Sequence, residues 1–584
     1  MTNQQTTAIV KRAPSLQPSA LSESSFDGDD DFSRSTELQY LTTSALKQGI
    51  HVMAGPGAGK SRWLGRVPAW MALIRQEPLV VIDPTGLVID NLLDKIVRLP
   101  LEVQQQLYPR LAYIDAGAQD DVVPTPLYYR QSKTDTLFEI ANRLPSVFER
   151  QDPALANAPI LGFNALQECA IYAGQIAAAL GRQLDFVVDL IDHPGKHKLL
   201  LRELLAEHPE LQPAVTYFRE LMDPTSAKLR EKRTGSFKNK LLPFLADPTM
   251  LATFAGTKKR LSWQKVIRQR KAVLIDLRQE RDPDRRQFKM IWYLKTFTDY
   301  IKYRGMAGRG EEVTLILDEI SDMLGQRTKE GNSILAEDLE ERVTRLGRNF
   351  GVNVIVAHQN LSQLDERIQN VLMQMGTQII GVLPNPDDAV RVARQFLVYD
   401  PYWVKKTERV WMKFDPLPIL TYFGVSELPR PKVIDYKFIE FTPEEQLLFL
   451  VNKLQSLGRC RFLTKTATGE GDLRGALKKL SIERLDQNQY PNEHILAPLR
   501  RQLAQRDGVP VETLLAEIRA NYSGGTGQKA PKKRLEGSAT MEVSPVPQPT
   551  KQHDSADPLP VAPEPATPVS TPNKRTGGTR KSHA

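Results

Sequence analysis

The most constraining feature of this chain is a short run of small residues between an apolar segment and a helical one. Residues 50–54 read IHVMA, and the run AGPGAGKS begins at Ala54 and ends at Ser61. Small residues let backbone N–H groups close around phosphates, and a strand before the loop with a helix after it is the context that a phosphate-binding loop requires. The predicted nucleotide-binding residues are Ala54, Gly55, Pro56, Gly57, Ala58, Gly59, Lys60 and Ser61.

Lys60 and Ser61 carry the chemistry of this loop. In a phosphate loop the lysine reaches the β and γ phosphates and the hydroxyl ligates Mg²⁺, so ATP and Mg²⁺ are the expected cofactors. Ala54 stands where the strict pattern has glycine, and Pro68 lies unusually close to the start of the following helix. Neither departure removes a phosphate ligand. The alternative, a chance glycine-rich loop, is disfavoured by the Lys-Ser pair and by the strand ahead of it.

An acidic pair ends a later apolar run, VTLILDEI at 313–320. Asp318 is suited to hold Mg²⁺ through water, and Glu319 is suited to orient and deprotonate an attacking water. This division of labour favours an ATPase over a kinase. The alternative is an Asp-Glu pair that only caps a strand.

Apolar runs without alternation recur along the chain between longer helical stretches. Runs of this length suit strands that are buried on both faces of a parallel sheet, with helices in the crossovers. They predict an α/β core with a mainly parallel sheet. The predicted strands lie at 50–54, 79–83, 272–277, 313–318, 352–357 and 378–383.

Changes in composition divide the chain into six segments. The ends are rich in polar residues and bury too little apolar surface to fold, whereas 131–262 has helical patterns and few strand-like runs. The predicted segments are a disordered arm at 1–36, the core at 37–130, a helical insertion at 131–262, the core again at 263–440, a small helical C-terminal domain at 441–522 and a disordered tail at 523–584.

Charge and cysteine usage narrow the class of protein. The net charge of +9 favours an anionic partner, weakly, because the chain has 584 residues. Only Cys169 and Cys460 are present, which excludes a disulfide framework and fits a reducing cytoplasm. We find no run of roughly 18 apolar residues and no signal-peptide core, so no transmembrane segment is expected.

A third motif, RVTRLGRNFGVNVIVAHQNLSQL, surrounds the strand at 352–357. Gln359 follows this strand and is placed to sense the γ-phosphate if the strand neighbours the acid pair. Arg345 and Arg348 precede it at an expected subunit edge, where an arginine contributed across an interface neutralises charge in ring ATPases. The alternative is that both arginines belong to a solvated helix face. His358 is expected to be structural.

The order of these motifs resembles the type IV secretion coupling ATPases of the TraD/TraG type, within the HerA–FtsK superfamily of P-loop ATPases. The resemblance spans residues 40–430 and includes LVVIDPTG at 79–86 and MGTQIIGVLPNPDDAVRVARQF at 375–396. It implies a RecA-like core, a hexameric ring that threads DNA, and ATP hydrolysis coupled to translocation during conjugation. It also implies a relaxase complex and a type IV secretion channel as partners.

The resemblance assigns further residues. Gln359 matches the family's glutamine after the acid pair, Arg348 matches the arginine before that strand, and Asp83 matches the acidic residue of the strand after the phosphate loop. Thr85 stands where relatives often have Lys or His. Coupling proteins commonly begin with transmembrane helices, whereas this chain begins with a polar arm, so recruitment to the inner face of the membrane by a partner is expected. A HerA-like DNA translocase or helicase, a protein-secretion ATPase and a nucleotide-switched scaffold remain alternatives.

Basic residues crowd between 228 and 271, near Phe237 and Trp263. Such a cluster suits a channel that grips phosphates without reading sequence. An ordinary solvated helix surface explains it equally well. The candidate nucleic-acid contacts are Arg233, Lys238 and Lys240.

Overall fold

The apolar runs of the sequence become the strands of a central sheet. The structure, a computed structural model, describes residues 46–131, 134–151, 164–223, 227–306, 311–324, 350–397, 399, 401, 403–412, 432–466, 477–481 and 491–523. The predicted arm at 1–36 and all but the first residue of the predicted tail lie outside these ranges.

The strands are numbered in chain order. They are β1 (Ile50–Met53), β2 (Leu79–Asp83), β3 (Leu111–Asp115), β4 (Asp121–Val122), β5 (Ala272–Asp276), β6 (Val313–Leu317), β7 (Val352–His358), β8 (Thr377–Ile380), β9 (Val404–Met412), β10 (Lys432–Glu440), β11 (Arg461–Thr466), β12 (Leu477–Ser481) and β13 (Val509–Pro510).

The helices before β5 lie mostly in the predicted insertion. They are α1 (Lys60–Leu64), a π-helical segment (Gly65–Ala69), α2 (Trp70–Ile74), α3 (Leu87–Val97), α4 (Leu101–Leu107), α5 (Leu137–Gln151), α6 (Ala165–Leu180), α7 (Leu184–Asp192), α8 (Lys198–Glu207), α9 (Gln212–Glu220), α10 (Ala227–Ala246), α11 (Pro248–Ala255) and α12 (Trp263–Arg268).

The later helices alternate with strands. They are α13 (Pro283–Met306), α14 (Ile320–Leu324), α15 (Glu366–Met373), α16 (Pro386–Phe396), α17 (Pro443–Ser456), α18 (Glu493–Asp507) and α19 (Val511–Ser523). Within the described ranges, none of the helices is both long and apolar enough to cross a membrane.

Nine strands of the described chain form the central sheet, in the order β12-β11-β8-β1-β7-β6-β2-β5-β3. The seven strands from β8 to β3 run parallel, and β11 runs antiparallel to both of its neighbours. The mainly parallel α/β class predicted from the sequence is therefore confirmed.

Alternate residues of the inner strands enter two different hydrophobic cores. Val80 and Ile82 of β2 pack with the helices on one face of the sheet, whereas Leu79 and Val81 pack with those on the other. Because successive side chains of a strand point to opposite faces, both faces must be apolar when helices cover both. This explains why the strands read as unbroken apolar runs.

Helices account for all regular structure in the described part of residues 131–262. Their apolar side chains, including Leu144 and Phe237, belong to the same core as Phe288 and Trp292 of α13. The insertion therefore packs onto one face of the sheet.

The described part of segment 441–522 is mostly helical and also contributes strands. It supplies β11 and β12 to the central sheet, and α18 packs on the sheet through Leu496 and Leu503. The backbone N–H of Tyr113 in β3 donates to Asp507 at the end of α18, at 2.8 Å. Such pairings join residues hundreds of positions apart and leave no local signature in the sequence. The six segment bounds remain predictions.

Candidate nucleotide-binding site

Three motifs that are distant in sequence meet at one edge of the sheet. β1 lies between β8 and β7, and β6 lies beside β7. The carboxyl ends of these parallel strands lead into the phosphate loop after β1, Asp318 after β6 and Gln359 after β7. This is the edge at which ligands bind in open parallel sheets.

The loop after β1 adopts a conformation that needs glycine at two positions. Gly57 and Gly59 have φ values of +72° and +99°, a region that residues with a Cβ rarely enter. A Cβ on Gly59 would also lie 3.0 Å from the Sγ of Cys460. The N–H of Cys460 donates to the carbonyl of Ala58 at 2.9 Å, so a residue from the far end of the chain holds the loop in place.

Pro68 lies about two helical turns beyond the loop. Pro68 lies inside the π-helical segment Gly65–Ala69, which joins α1 to α2. Proline has no N–H to donate, and a wider turn removes the demand for that hydrogen bond. The phosphate loop itself is unaffected.

Lys60 joins the loop to the acid pair. Its Nζ donates to Oε2 of Glu319 at 2.7 Å and lies 3.3 Å from Oδ1 of Asp318. Burial acts to lower the pKa of Lys60, but the two carboxylates outweigh it and raise that pKa. Burial acts to raise the pKa of Glu319, but Lys60 outweighs it and lowers that pKa. Both groups are therefore charged at neutral pH.

Ser61 and Asp318 form a pair of oxygen donors suited to Mg²⁺. The Ser61 hydroxyl donates to Oδ2 of Asp318 at 3.0 Å. The Oδ1 atom of Asp318 is buried and accepts no hydrogen bond from the residues that the structure describes. Mg²⁺ prefers hard oxygen ligands, and a buried carboxylate oxygen without a hydrogen bond is available to serve it directly or through water. The residues present therefore fit this ion.

Three side chains orient the Glu319 carboxylate. Besides Lys60, Gln359 Nε2 donates to Oε2 at 2.9 Å, and the Ser321 hydroxyl donates to Oε1 at 2.6 Å. Glu319 has a φ of +46°, which is strained for a residue with a side chain and is typical of functional positions. Sequence reasoning missed Ser321, although it lies only two residues from Glu319.

Asp83 takes a position different from the one expected of a nucleotide contact. Its buried carboxylate accepts hydrogen bonds from backbone N–H groups in the loop before α3 and in the first turn of α3. The donors are Thr85, Gly86, Val88 and Ile89. Burial, and then the nearby carboxylates of Asp318 and Asp276, raises the pKa of Asp83 to about 7. These contacts are those of a helix cap, and Asp83 does not line the cavity described next.

A cavity of about 690 Å³ lies over the loop and the acid pair. This volume is within the range typical of small-molecule sites. Residues 55–61 of the loop, Asp318, Glu319 and Gln359 form one part of its lining, whereas Ala54 does not line it. Thr85, which the sequence analysis singled out, also lines it. Sequence reasoning missed the other lining residues, which are Arg62, Leu87, Asn91, Arg459, Cys460 and Pro491.

Other predicted residues lie away from this cavity. Arg233 pairs with Glu220 at 2.7 Å, and Lys238 pairs with Asp192 at 2.6 Å. Lys240 lies on the same helix, α10, and also has an interaction partner. Arg345 and Arg348 lie outside the described residues.

Of three comparisons with known proteins, the one with solved structures found matches. No family model and no curated protein matches the chain. A solved structure of the unbound bacterial conjugative coupling protein TrwBdeltaN70 matches with a TM-score of 0.41 and 13% identity over 76% of this chain and 87% of that one. The plasmid coupling protein TrwB in complex with ADP and Mg²⁺ matches with a TM-score of 0.40 and 15% identity over 77% and 88% of the two chains.

VirB4 of Thermoanaerobacter pseudethanolicus matches with a TM-score of 0.42 and 12% identity over 76% of this chain and 91% of that one.

Proposed function

We propose that this chain is an ATP-driven DNA translocase that acts as a coupling ATPase in conjugative transfer by type IV secretion. The observation that carries the ATPase part is the convergence of Lys60, Glu319 and Gln359 within hydrogen-bonding distance at one edge of the sheet. This arrangement joins a phosphate-binding lysine to an oriented general base, which is what hydrolysis by in-line displacement requires.

The proposed roles follow from the contacts. Lys60 binds the β and γ phosphates of ATP, and the amides of the loop from Gly55 onward surround them. Glu319 accepts a proton from the attacking water through the carboxylate that Gln359 and Ser321 hold in place. Ser61 and Asp318 would hold Mg²⁺, which would neutralise negative charge at the phosphates.

The DNA part of the proposal is supported by the motif resemblance and by the net charge of +9. On the same basis we propose a homo-oligomeric ring, with six subunits by analogy, in which Arg345 or Arg348 reaches the site of a neighbouring copy. We further propose that the protein acts in the cytoplasm, where a relaxase complex and a type IV secretion channel recruit it to the inner face of the membrane.

Steady-state ATP hydrolysis, measured with and without single- and double-stranded DNA over a salt series, tests this proposal. We expect DNA to stimulate hydrolysis and the stimulation to decrease as the salt concentration rises. We also expect Lys60→Ala and Glu319→Gln to abolish hydrolysis. Hydrolysis that depends on Lys60 but not on DNA would favour a protein-secretion ATPase instead. Nucleotide-driven assembly without turnover would favour a switched scaffold.

Charge reversal on α10 tests the proposed DNA contacts. Lys238→Glu and Lys240→Glu are expected to weaken DNA binding and to reduce its salt dependence, since each removes a phosphate contact. Lys198→Glu on α8 is the control with the same change of charge. Equal DNA affinity in all three variants would place the DNA path elsewhere.

A further inference from the structure

Three buried polar side chains lie next to one another on neighbouring strands of the sheet. They are Gln378 of β8, His51 of β1 and His358 of β7, and each is exposed by 2% or less. Their neighbours on the same face, Met53 and Val356, are apolar and belong to the core that contains the insertion. Apolar side chains would fill this space at lower cost, because buried polar groups must be hydrogen-bonded. The polar residues therefore indicate a need for fixed geometry as well as for packing.

One end of this chain of contacts is fixed at the end of helix α15. The amide Nε2 of Gln378 donates to the carbonyl oxygens of Leu372, Met373 and Met375. Its amide oxygen accepts from Nδ1 of His51, which lies directly opposite Gln378 in the pairing of β1 with β8. The Gln378 amide cannot turn without losing these bonds, so it holds the His51 ring in one orientation.

The other end of the chain of contacts reaches Gln359. His358 is the last residue of β7, and Gln359 follows it. Strand β7 pairs with β6 only as far as Val356, so its last two residues pair with β1 alone. The N–H of Ala54 donates to the carbonyl of His358 at 3.4 Å, which is long for a hydrogen bond. The contact of 2.7 Å between the two Nε2 atoms of His51 and His358 is thus a second link where the strand is held on one side.

The position of this strand end determines whether Gln359 can reach Glu319. Gln359 Nε2 donates to Oε2 of Glu319 at 2.9 Å, across from the end of β7 to the residues after β6. A displacement of His358 would move Gln359 and break this bond. Burial, and then the neighbouring His51 and Lys60, lower the pKa of His358, so its ring is neutral and adds no charge beside the phosphate loop.

We propose that the histidine pair, His51 and His358, positions Gln359 for its hydrogen bond to Glu319. The inference rests on the proposed ATPase function, in which Glu319 is the general base. Neither histidine is among the described residues that line the nucleotide cavity, so both are positioning residues that act through Gln359. Because β1 leads into the phosphate loop, the pair fixes the distance between that loop and the group that orients the base. Small displacements of such groups slow a reaction strongly.

Single-turnover ATP hydrolysis and ADP binding by the full-length protein test the proposal. His358→Phe keeps a ring at this position but removes the N–H that bonds His51. We expect the hydrolysis rate to fall by about tenfold and the Kd of ADP to change by less than about twofold, since the phosphate loop is intact. His358→Gln keeps an N–H donor and should recover part of the rate. ADP binding also reports whether each variant is folded.

Val354→Ala is the control for a general weakening of β7. Val354 is buried in the same strand and on the same face as His358, but it makes no contact in the histidine pair. We expect this variant to be less stable and to keep the wild-type hydrolysis rate at a temperature where it stays folded. An equal loss of rate in Val354→Ala and His358→Phe would refute a specific role of the pair.

A double-mutant cycle separates positioning from a purely structural role. In a Gln359→Ala background, His358→Phe should cause no further loss of rate, because no side chain remains to be positioned. The same fold-loss in both backgrounds would overturn the proposal, and His358→Gln serves in this cycle if His358→Phe does not fold. A wild-type rate in His358→Phe would refute the inference and leave the ATPase proposal standing. Absence of ATP hydrolysis by the wild-type protein, with and without DNA, would refute both.

Discussion

The Nε2 atom of His51 in β1 lies 2.7 Å from the Nε2 atom of His358 in β7, and the planes of the two rings differ by only 13°. The Gln378 amide in β8 donates to the carbonyls of Leu372, Met373 and Met375, so its oxygen faces Nδ1 of His51 as an acceptor. Nδ1 of His51 must then carry the proton, and Nε2 must accept from His358. Both fully buried rings are neutral, and together they tie the strand before the phosphate loop to the strand before Gln359.

The histidine pair predicts a decrease in stability at acidic pH. Burial lowers the pKa of His51 from 6.5 to about 4, and that of His358 well below 6.5. Between pH 6.5 and pH 4 His51 is protonated in the unfolded chain but neutral in the folded chain. The contribution of His51 to the free energy of unfolding therefore falls by about 3 kcal/mol as the pH drops through this range.

Comparison with His51→Asn isolates this effect. Denaturant unfolding across pH 4 to 7 should show a shallower loss of stability in the variant. The raised pKa values of Asp83, about 7, and Asp115, about 6, act in the opposite direction but are common to both proteins. Parallel curves for the two proteins would refute the prediction.

Lys60→Ala and Glu319→Gln should separate binding from chemistry. Without the positive charge of Lys60, the carboxylates of Asp318 and Glu319 would repel the phosphates, so nucleotide binding and hydrolysis should both be lost. Glu319→Gln keeps the shape but removes the base, so hydrolysis should fall by about a hundred- to ten-thousandfold with binding retained. Lys47→Ala, at a partly exposed ion pair with Glu312, is the control and should change neither. Binding and single-turnover hydrolysis measure the two effects.

Gln359→Ala should lower kcat by about ten- to a hundredfold with little change in the Kd of ADP, because Gln359 acts through Glu319. Ser321→Ala removes the donor to the other carboxylate oxygen and should act in the same direction. Gln374→Ala, at an exposed position, is the matched control. A large loss of affinity in Gln359→Ala with normal kcat would instead assign Gln359 to binding.

Asp83→Asn should destabilise the fold more than it weakens nucleotide binding. In the wild type both carboxylate oxygens of Asp83 accept hydrogen bonds from backbone N–H groups. The asparagine amide would place an NH₂ donor against some of these N–H groups, so the free energy of unfolding should fall by about 2 kcal/mol or more. Asp365→Asn changes a cap that accepts one backbone hydrogen bond and should have less effect. Normal stability with a large loss of affinity would restore Asp83 to the nucleotide site.

Local signals in the sequence determined the phosphate loop, the acid pair and the α/β class. The loop needs glycine at positions 57 and 59 and a lysine followed by a hydroxyl residue. These requirements do not depend on the rest of the fold. Strands buried on both faces must be apolar throughout, so β2 and β6 were visible as unbroken apolar runs. Gln359 could be singled out because it follows such a strand directly.

The tertiary structure alone decided which strands are neighbours, and hence which distant residues share the site. Cys460 donates a hydrogen bond to the phosphate loop although it lies about four hundred positions further along the chain. Strand β11, from the same part of the chain, pairs with β8 in the sheet that also contains β1. Strand pairing is set by packing over the whole chain, so such contacts carry no local pattern of polarity. For the same reason the sequence showed Asp83 only as an acid at the end of a strand and Arg62 only as a cation after Ser61. Whether each had a protein partner depended on the helices packed beside it.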